Sequence, residues 1–189
     1  MKQNYHSEIT SGNGRMSRSF ILILLLAQSS CVMGLKSFPA IITSEELSAM
    51  MDLDYQLFDQ TPGSGWRKYE GHPEVQIRLL TEYIARNAPA NHTLLWHLGQ
   101  RYAIVGDYHL AIYYFRQALL DEAGDSFNHA WNLYVKGTIA FLTRDCSQLK
   151  AHISQLEKLP IKKHLEILYR LERNFHKPYS MLISYQSTS

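Results

Sequence analysis

The histidines and cysteines are the side chains of this sequence that could hold a metal ion. The chain has nine histidines and two cysteines among its 189 residues. His92 and His97 are five positions apart, so a helix does not bring them onto one face. No His-Glu-x-x-His, Cys-x-x-Cys or His-x-x-x-His spacing occurs, and these are the spacings that bring ligands together locally. We therefore expect no metal site.

Nucleophilic catalysis and nucleotide binding also have no motif here. The sequence contains no Gly-x-Ser-x-Gly, no phosphate-binding glycine-rich loop and no dinucleotide fingerprint. Gly63-Ser64-Gly65 indicates only a loop. Cys146 opens a predicted helix, but no histidine is spaced to activate its thiol. We expect a non-catalytic protein without cofactors, since an enzyme would need the scattered histidines and Cys146 to converge in one pocket.

The charge distribution argues against a nucleic-acid partner. The length allows one domain, and the formal net charge is +2. Lys2, Arg15 and Arg18 against Glu8 account for that charge, so the rest of the chain is close to neutral. A nucleic-acid binder needs a basic patch with interleaved aromatic residues, and the sequence has none.

The first thirty-four residues are typical of a secretion signal. Arg15 and Arg18 precede the apolar residues 20–27, which small polar residues follow. This apolar run is far shorter than the roughly twenty residues needed to span a bilayer. We predict a signal peptide at residues 1–34; an uncleaved anchor and a buried helix are the alternatives. The prediction places the mature protein outside a bacterial cytoplasmic membrane.

Cys31 lies at about the distance from the apolar run that is usual for a bacterial lipoprotein cysteine. Ser30 and Ser29 suit a lipidation signal, whereas Gln28 stands where leucine is usual. Two alternatives stay open. The signal ends before Cys31, which then carries a lipid that tethers the protein to a membrane, or cleavage after Gly34 removes the cysteine. We expect contact with a membrane only through this anchor.

The element with the clearest pattern is a predicted helical hairpin at residues 95–118. Gly99 and Ala111 are small enough to let two antiparallel helices approach closely. Gly106-Asp107 interrupts the apolar pattern where a tight turn is needed. The residues that carry the whole pattern are Leu95, Leu98, Gly99, Tyr102, Gly106, Tyr108, Ala111, Phe115 and Ala118.

This pattern resembles the tetratricopeptide repeat, and the resemblance covers about residues 66–175. It implies an all-α protein: an antiparallel helix-pair stack (a TPR-like α-solenoid) of about three pairs with a C-terminal capping helix. We place the N-terminal helix and loop at residues 35–72, the repeat domain at 73–175 and a tail at 176–189. The capping helix is the amphipathic segment that follows Pro160.

A second, degenerate copy of the pattern follows the first. Gly137 lies where Gly99 lay, and Arg144-Asp145 replaces Gly106-Asp107. The copies are offset by thirty-eight residues instead of the usual thirty-four, so four extra residues fall in the connection near 122–127. Leucine replaces the small residues of its second helix. This pair must therefore pack more loosely or against a different neighbour.

The segments before the clear repeat carry their own signals. Thr43 and Glu46 have capping-box spacing, which predicts a helix at residues 44–58. Trp66 lies in the irregular segment 59–71, and we expect it to attach this loop to the helices. A helix from residue 74 should end at Asn87, before a proline. Asn91 matches a glycosylation acceptor, although a helix N-cap is the simpler interpretation.

The resemblance implies that the first helices of the pairs line a concave groove. The groove positions are Trp96, Gln100, Ala103, Trp131, Tyr134 and Thr138. Exposed aromatic residues there would bind a peptide or a partner helix; the alternative is that they are core residues of a small domain. We expect a protein–protein interaction module or adaptor of the cell envelope. A small-ligand or peptide binding protein, with an aromatic cavity between helix pairs, is the alternative.

Overall fold

The computed structural model describes residues 42–88 and 90–183, and the side chain of residue 183 is not among the described ones. The predicted signal peptide, Cys31 and the last six residues lie outside the described residues. The regular secondary structure of the described chain is all helical, with no strand. The prediction of an all-α protein is therefore confirmed.

Eight α-helices and two short irregular helices make up the described chain. The α-helices are α1 (Ser44–Met51), α2 (Pro73–Asn87), α3 (His92–Ile104), α4 (Tyr108–Gln117), α5 (Ser126–Leu142), α6 (Cys146–Glu157), α7 (Leu165–Arg173) and α8 (Ser180–Ile183). A π-helical turn (Gln56–Gln60) and a 3-10 helix (Gly65–Tyr69) lie between α1 and α2. The most extensive packing joins α3 to α4 and α5 to α6, and α2 packs against α3.

The predicted helix starts are present as hydrogen-bonded caps. The Thr43 hydroxyl accepts from the Glu46 backbone N–H, and the Glu46 carboxylate accepts from the Thr43 N–H, each at 3.1 Å. Asn91 caps α3 by accepting from the Leu94 N–H at 3.1 Å. These caps satisfy backbone donors that a helix leaves free at its first turn, and they confirm the N-cap interpretation of Asn91.

The prediction that the first helix continues to Phe58 is wrong. Helix α1 ends at Met51, and its last carbonyl oxygen accepts a hydrogen bond from the Asn87 side chain at 2.9 Å. The Tyr83 hydroxyl donates to the Leu53 carbonyl at 3.0 Å. Two side chains of α2 thus bind the backbone just where the helix stops, and the chain turns towards α3 instead of continuing.

The two glycines of the repeated pattern make different close contacts. A Cβ added at Gly99 would lie 2.5 Å from the ring of Phe115 and 3.1 Å from the Ala111 carbonyl oxygen, both on α4. A Cβ at Gly137 would instead lie 2.9 Å from Leu168 of α7. The degenerate pair therefore uses a different neighbour: α7 approaches Gly137, because leucine fills the α6 side where the first pair has alanine.

The turns inside the two pairs adopt the same backbone conformation. Gly106 has φ 86° and Arg144, at the equivalent position, has φ 60°. A left-handed conformation is unfavourable for a side chain larger than glycine. The Arg144 guanidinium donates to the carbonyl oxygens of Phe175 and Lys177. Arg144 therefore makes hydrogen bonds to the C-terminal segment from a backbone conformation that is unfavourable for its residue type.

The C-terminal segment packs on the helices. Tyr179 and Leu182 are 1% and 4% exposed, and the Tyr179 N–H donates to the Tyr108 hydroxyl at 3.3 Å. These two residues of the segment expected to form a tail are thus core residues. Among the described helices, none has the length and apolar composition needed to cross a bilayer.

A candidate ligand-binding cleft

An open cleft of about 710 Å³ lies between the segment 60–73 and helix α3. We name it the Trp66 cleft, after the indole that forms part of its wall. Side chains with hydrogen-bonding groups form part of its wall: Trp66, Arg67, Gln76, His97, Gln100 and Arg101. The elements that position them are the 3-10 helix, the start of α2 and one face of α3.

Asp59 attaches the loop side of the cleft to α3. Its carboxylate is fully buried, and one oxygen accepts from the Trp66 indole N–H at 2.8 Å and pairs with His97 Nδ1 at 2.8 Å. Arg67 donates to the Asp59 backbone carbonyl and its guanidinium lies 3.6 Å from the carboxylate. This confirms that Trp66 attaches the loop to the helices, and it identifies Asp59 as the group that fixes the indole.

The protonation state of the Asp59–His97 pair follows from burial and hydrogen bonding. Burial raises the pKa of Asp59, but the hydrogen bond and charge of His97 and the indole N–H outweigh it, so this pKa is lowered. Burial lowers the pKa of His97. At neutral pH we therefore assign an ionised Asp59 and a neutral His97 that carries its proton on Nδ1, because a carboxylate can only accept. The other ring nitrogen is then a hydrogen-bond acceptor.

Arg101 is the cation of the cleft that has no carboxylate in contact. Its Nη1 donates to the Gln76 side-chain oxygen at 3.1 Å. Its Nε is buried and has no hydrogen-bond partner among the described residues. No carboxylate of the described chain lies within 4.0 Å of it, whereas Arg67 is paired with Asp59. Burial lowers the pKa of Arg101, yet a guanidinium stays charged in a protein.

The three aromatic residues predicted for the groove pack with Phe115 and His164 in a second feature. We name it the Trp96 cluster, and its members are Trp96, Phe115, Trp131, Tyr134 and His164. The Trp96 ring centroid lies 5.4 Å from that of Trp131 and 4.7 Å from that of Tyr134. The side chains of Trp96, Trp131 and Tyr134 are only 4%, 8% and 3% exposed. The sequence therefore identified residues that come together, but they lie inside the protein.

The C-terminal part of the chain covers this cluster. The His164 ring stacks on Tyr134 with the ring centroids 4.3 Å apart. Tyr179 also approaches α3, where its hydroxyl lies 3.5 Å from Nε2 of Gln100. Ala103 and Thr138 are each 1% exposed. Of the six groove candidates, only Gln100 lines the Trp66 cleft; in this conformation the others are core residues and not exposed contact sites.

Apart from Trp66 and Gln100, the residues that build the cleft were not predicted from the sequence. Asp59 and His97 are 38 positions apart, and Gln76 and Arg101 are 25 apart, so no local spacing joins them. The one signal was Trp66, a large aromatic residue inside a loop rich in glycine. An indole in such a loop needs a partner for its N–H when it is buried, and Asp59 is the acidic residue seven positions before it.

The remaining candidates for chemistry do not converge in the described part of the chain. No group of three or more histidine, cysteine or acidic side chains there could hold a metal ion. Cys146 begins α6 and does not line the Trp66 cleft. A smaller cavity of about 330 Å³ lies between α4, α5 and α6, and it is lined by Arg116, Lys136 and His152 among others.

Comparison of the chain with models of known families, with curated proteins and with solved structures found no match.

Proposed function

We propose that this chain is a non-catalytic small-ligand binding protein, built on tetratricopeptide-like helix pairs, that binds its ligand in the Trp66 cleft. The observation that carries the proposal is the polar wall of that cleft. Folding leaves the buried Nε of Arg101 without a partner among the described residues. Proteins rarely leave a buried donor unsatisfied without a reason connected with binding or catalysis.

The dimensions and construction of the cleft support a small ligand. About 710 Å³ falls within the range of roughly 300–1,000 Å³ that is usual for sites of small molecules. Trp66 lines the cleft with a ring that is only 3% exposed, and polar groups of α2 and α3 surround it. Asp59 binds the indole in place, so the site is largely formed before a ligand arrives and ordering it costs little binding energy.

The repeat resemblance supports a binding role, since helix pairs of this kind present surfaces and not catalytic groups. The predicted adaptor function remains a second proposal, because α3 with α4 and α5 with α6 pack as antiparallel neighbours. Burial of Trp96 and Tyr134 means that a protein partner would bind a face other than the predicted groove. Export, with or without a lipid on Cys31, also remains a proposal, since it depends on residues 1–34.

A pair of neighbouring substitutions tests the binding site. Ile104 lines the cleft, so Ile104→Trp should fill it, whereas Val105 is 41% exposed and lies outside, so Val105→Trp is the matched control. The full chain purified under native conditions should carry or take up a small molecule, detected by native mass spectrometry and by ligand-observed NMR against a fragment library. Binding that Ile104→Trp abolishes and Val105→Trp preserves supports the proposal. Equal binding by both variants, or no binding by the wild type, contradicts it.

A further inference from the structure

We infer that the ligand of the Trp66 cleft carries an oxyanion, a carboxylate or a phosphate, and that Arg101 is the residue that binds it. This inference rests on the proposed function and assigns the chemical class of the ligand. Its starting point is the charge of the cleft wall, which helix α3 and the segment 60–73 form together.

Arg101 and Glu70 both line the cleft, and neither has an opposite charge within 4.0 Å in the described chain. The guanidinium of Arg67 lies 3.6 Å from the carboxylate of Asp59, so these two charges compensate each other. Glu70 also lines the cleft but does not come within 4.0 Å of Arg101. His97 contributes no charge at neutral pH because its burial lowers its pKa. The result is a fixed positive charge on Arg101 without a contact partner of opposite charge in the described chain.

The surroundings of Arg101 increase the effect of that charge. Its guanidinium carbon lies 5.3 Å from the centre of the Trp66 ring, and the guanidinium of Arg67 lies 4.3 Å from the same ring. An apolar wall lowers the local screening, so an opposite charge placed there interacts more strongly than in water. Arginine presents its donors in a planar fork that fits carboxylate and phosphate oxygens.

The neighbouring amides complete a set of donors. Gln100 is 8% exposed and its Nε2 lies 3.5 Å from the Tyr179 hydroxyl, a distance at the limit of a hydrogen bond. The unpartnered Nε of Arg101 and this weakly used amide are both donors. Donors without good acceptors at the wall of an open cleft favour a ligand with several acceptor oxygens.

The test is titration of the full chain with inorganic phosphate and, separately, with acetate, by isothermal calorimetry at constant ionic strength. Arg101→Gln should weaken binding at least about tenfold, which corresponds to one charge-assisted hydrogen bond. Arg101→Lys should restore part of the affinity, because it keeps the charge and loses the fork. The matched control is Arg78→Gln, which removes an exposed arginine of α2 and should leave affinity unchanged.

A substitution that should raise the affinity, instead of lowering it, strengthens the test. Glu70 shares the cleft with Arg101, so Glu70→Gln should raise the affinity for phosphate several-fold by removing a competing carboxylate. The NMR signal of the Arg101 Nε–H should shift on addition of the anion that binds, and circular dichroism checks that every variant is folded. Tighter binding of phosphate than of acetate would identify the oxyanion of the ligand as a phosphate, and the reverse preference would identify it as a carboxylate.

Four results would decide against the inference. Equal affinity of the wild type and a folded Arg101→Gln for both anions overturns it, and so does an unmoved Nε–H signal at saturation. Neutral fragments that bind the cleft, with no binding of either anion, overturn it while the proposed function stands. If no ligand is found whose binding Ile104→Trp prevents, both the inference and the proposed function are overturned.

Discussion

The Trp66 cleft and the Trp96 cluster occupy different faces of the same helix, α3, and they differ in how completely their polar groups are satisfied. In the cluster, the Trp131 indole N–H donates to the Ala118 carbonyl at 2.8 Å, and no buried side-chain polar atom of the cluster lacks a hydrogen-bond partner among the described residues. In the cleft, Arg101 retains an unused donor. The comparison teaches that a concentration of aromatic residues marks the core, whereas incomplete pairing of a buried charge marks the candidate site.

The largest expected effect tests the cluster. Trp96→Ala should lower the free energy of unfolding by about 3–5 kcal/mol, because it removes a large buried side chain and leaves a cavity. Tyr113→Ala, at a tyrosine that is 53% exposed, is the control and should cost less than about 1 kcal/mol. Urea denaturation followed by circular dichroism measures both. If Trp96→Ala keeps its stability but no longer binds a partner, the cluster is a binding surface. The contrast drawn here between the core cluster and the cleft would then be wrong.

Asp59→Asn should have the next largest effect, about 2–4 kcal/mol. The amide oxygen accepts from Trp66 and His97 more weakly than the carboxylate oxygen does, because the hydrogen bonds lose their charge assistance. The substitution also leaves the Arg67 charge without its partner. Asp52→Asn, at an exposed residue near the end of α1, should be nearly neutral. Urea unfolding and phosphate titration should show that the cleft variant loses both stability and binding. Full retention of both would mean that Asp59 does not organise the cleft.

The helix pair 92–117 could be predicted from the sequence because its determinants are local. Gly99 meets Phe115 sixteen positions later in one hairpin, and Asn91 and Asp107 cap the helices from the residue next to them. The fold class and the helix starts followed from such spacings. The end of α1 did not, because it depends on Asn87 of another helix.

The candidate site could not be predicted for the same physical reason. The position of Asp59 beside His97 depends on the path of a loop that no periodicity describes, and the spacing between these residues contains no motif. The groove positions were identified on the correct helices, but their exposure depends on Tyr179 and His164, which come from the far end of the chain. Spacing along one helix does not report what a distant segment covers.

The third prediction concerns the stability of the protein at acid pH, which should fall because of His164 in the Trp96 cluster. Burial lowers the pKa of His164 to about 4, whereas the unfolded chain titrates near 6.5. The unfolded state then binds more protons, so the histidine's contribution is present above pH 6.5 and is lost as the pH falls towards 4. The full shift corresponds to about 3 kcal/mol, which partial exposure of the ring reduces to about 1–2 kcal/mol.

His164→Phe tests this contribution, because phenylalanine keeps the stack on Tyr134 and does not titrate. Between pH 7 and pH 4 the wild type should lose about 1–2 kcal/mol more than the variant, measured by urea unfolding at each pH. Burial also lowers the pKa values of His92, His97 and His152, so the variant keeps part of the slope. Identical slopes would show that His164 is solvated in solution and does not cover the cluster.

The smallest expected effect decides whether Gln100 belongs to the Trp66 cleft or to the Trp96 cluster. Gln100 lines the cleft, is a predicted groove residue and contacts Tyr179 only at 3.5 Å. If it belongs to the cleft, Gln100→Leu should change the free energy of unfolding by less than about 1 kcal/mol, because a weak hydrogen bond is exchanged for apolar burial. Phosphate affinity should fall several-fold, while Gln155→Leu on the exposed face of α6 should change neither quantity. A loss of stability comparable to that of Trp96→Ala, with affinity unchanged, would assign Gln100 to the cluster and restrict the binding wall to Arg101 and its neighbours on the loop and α2.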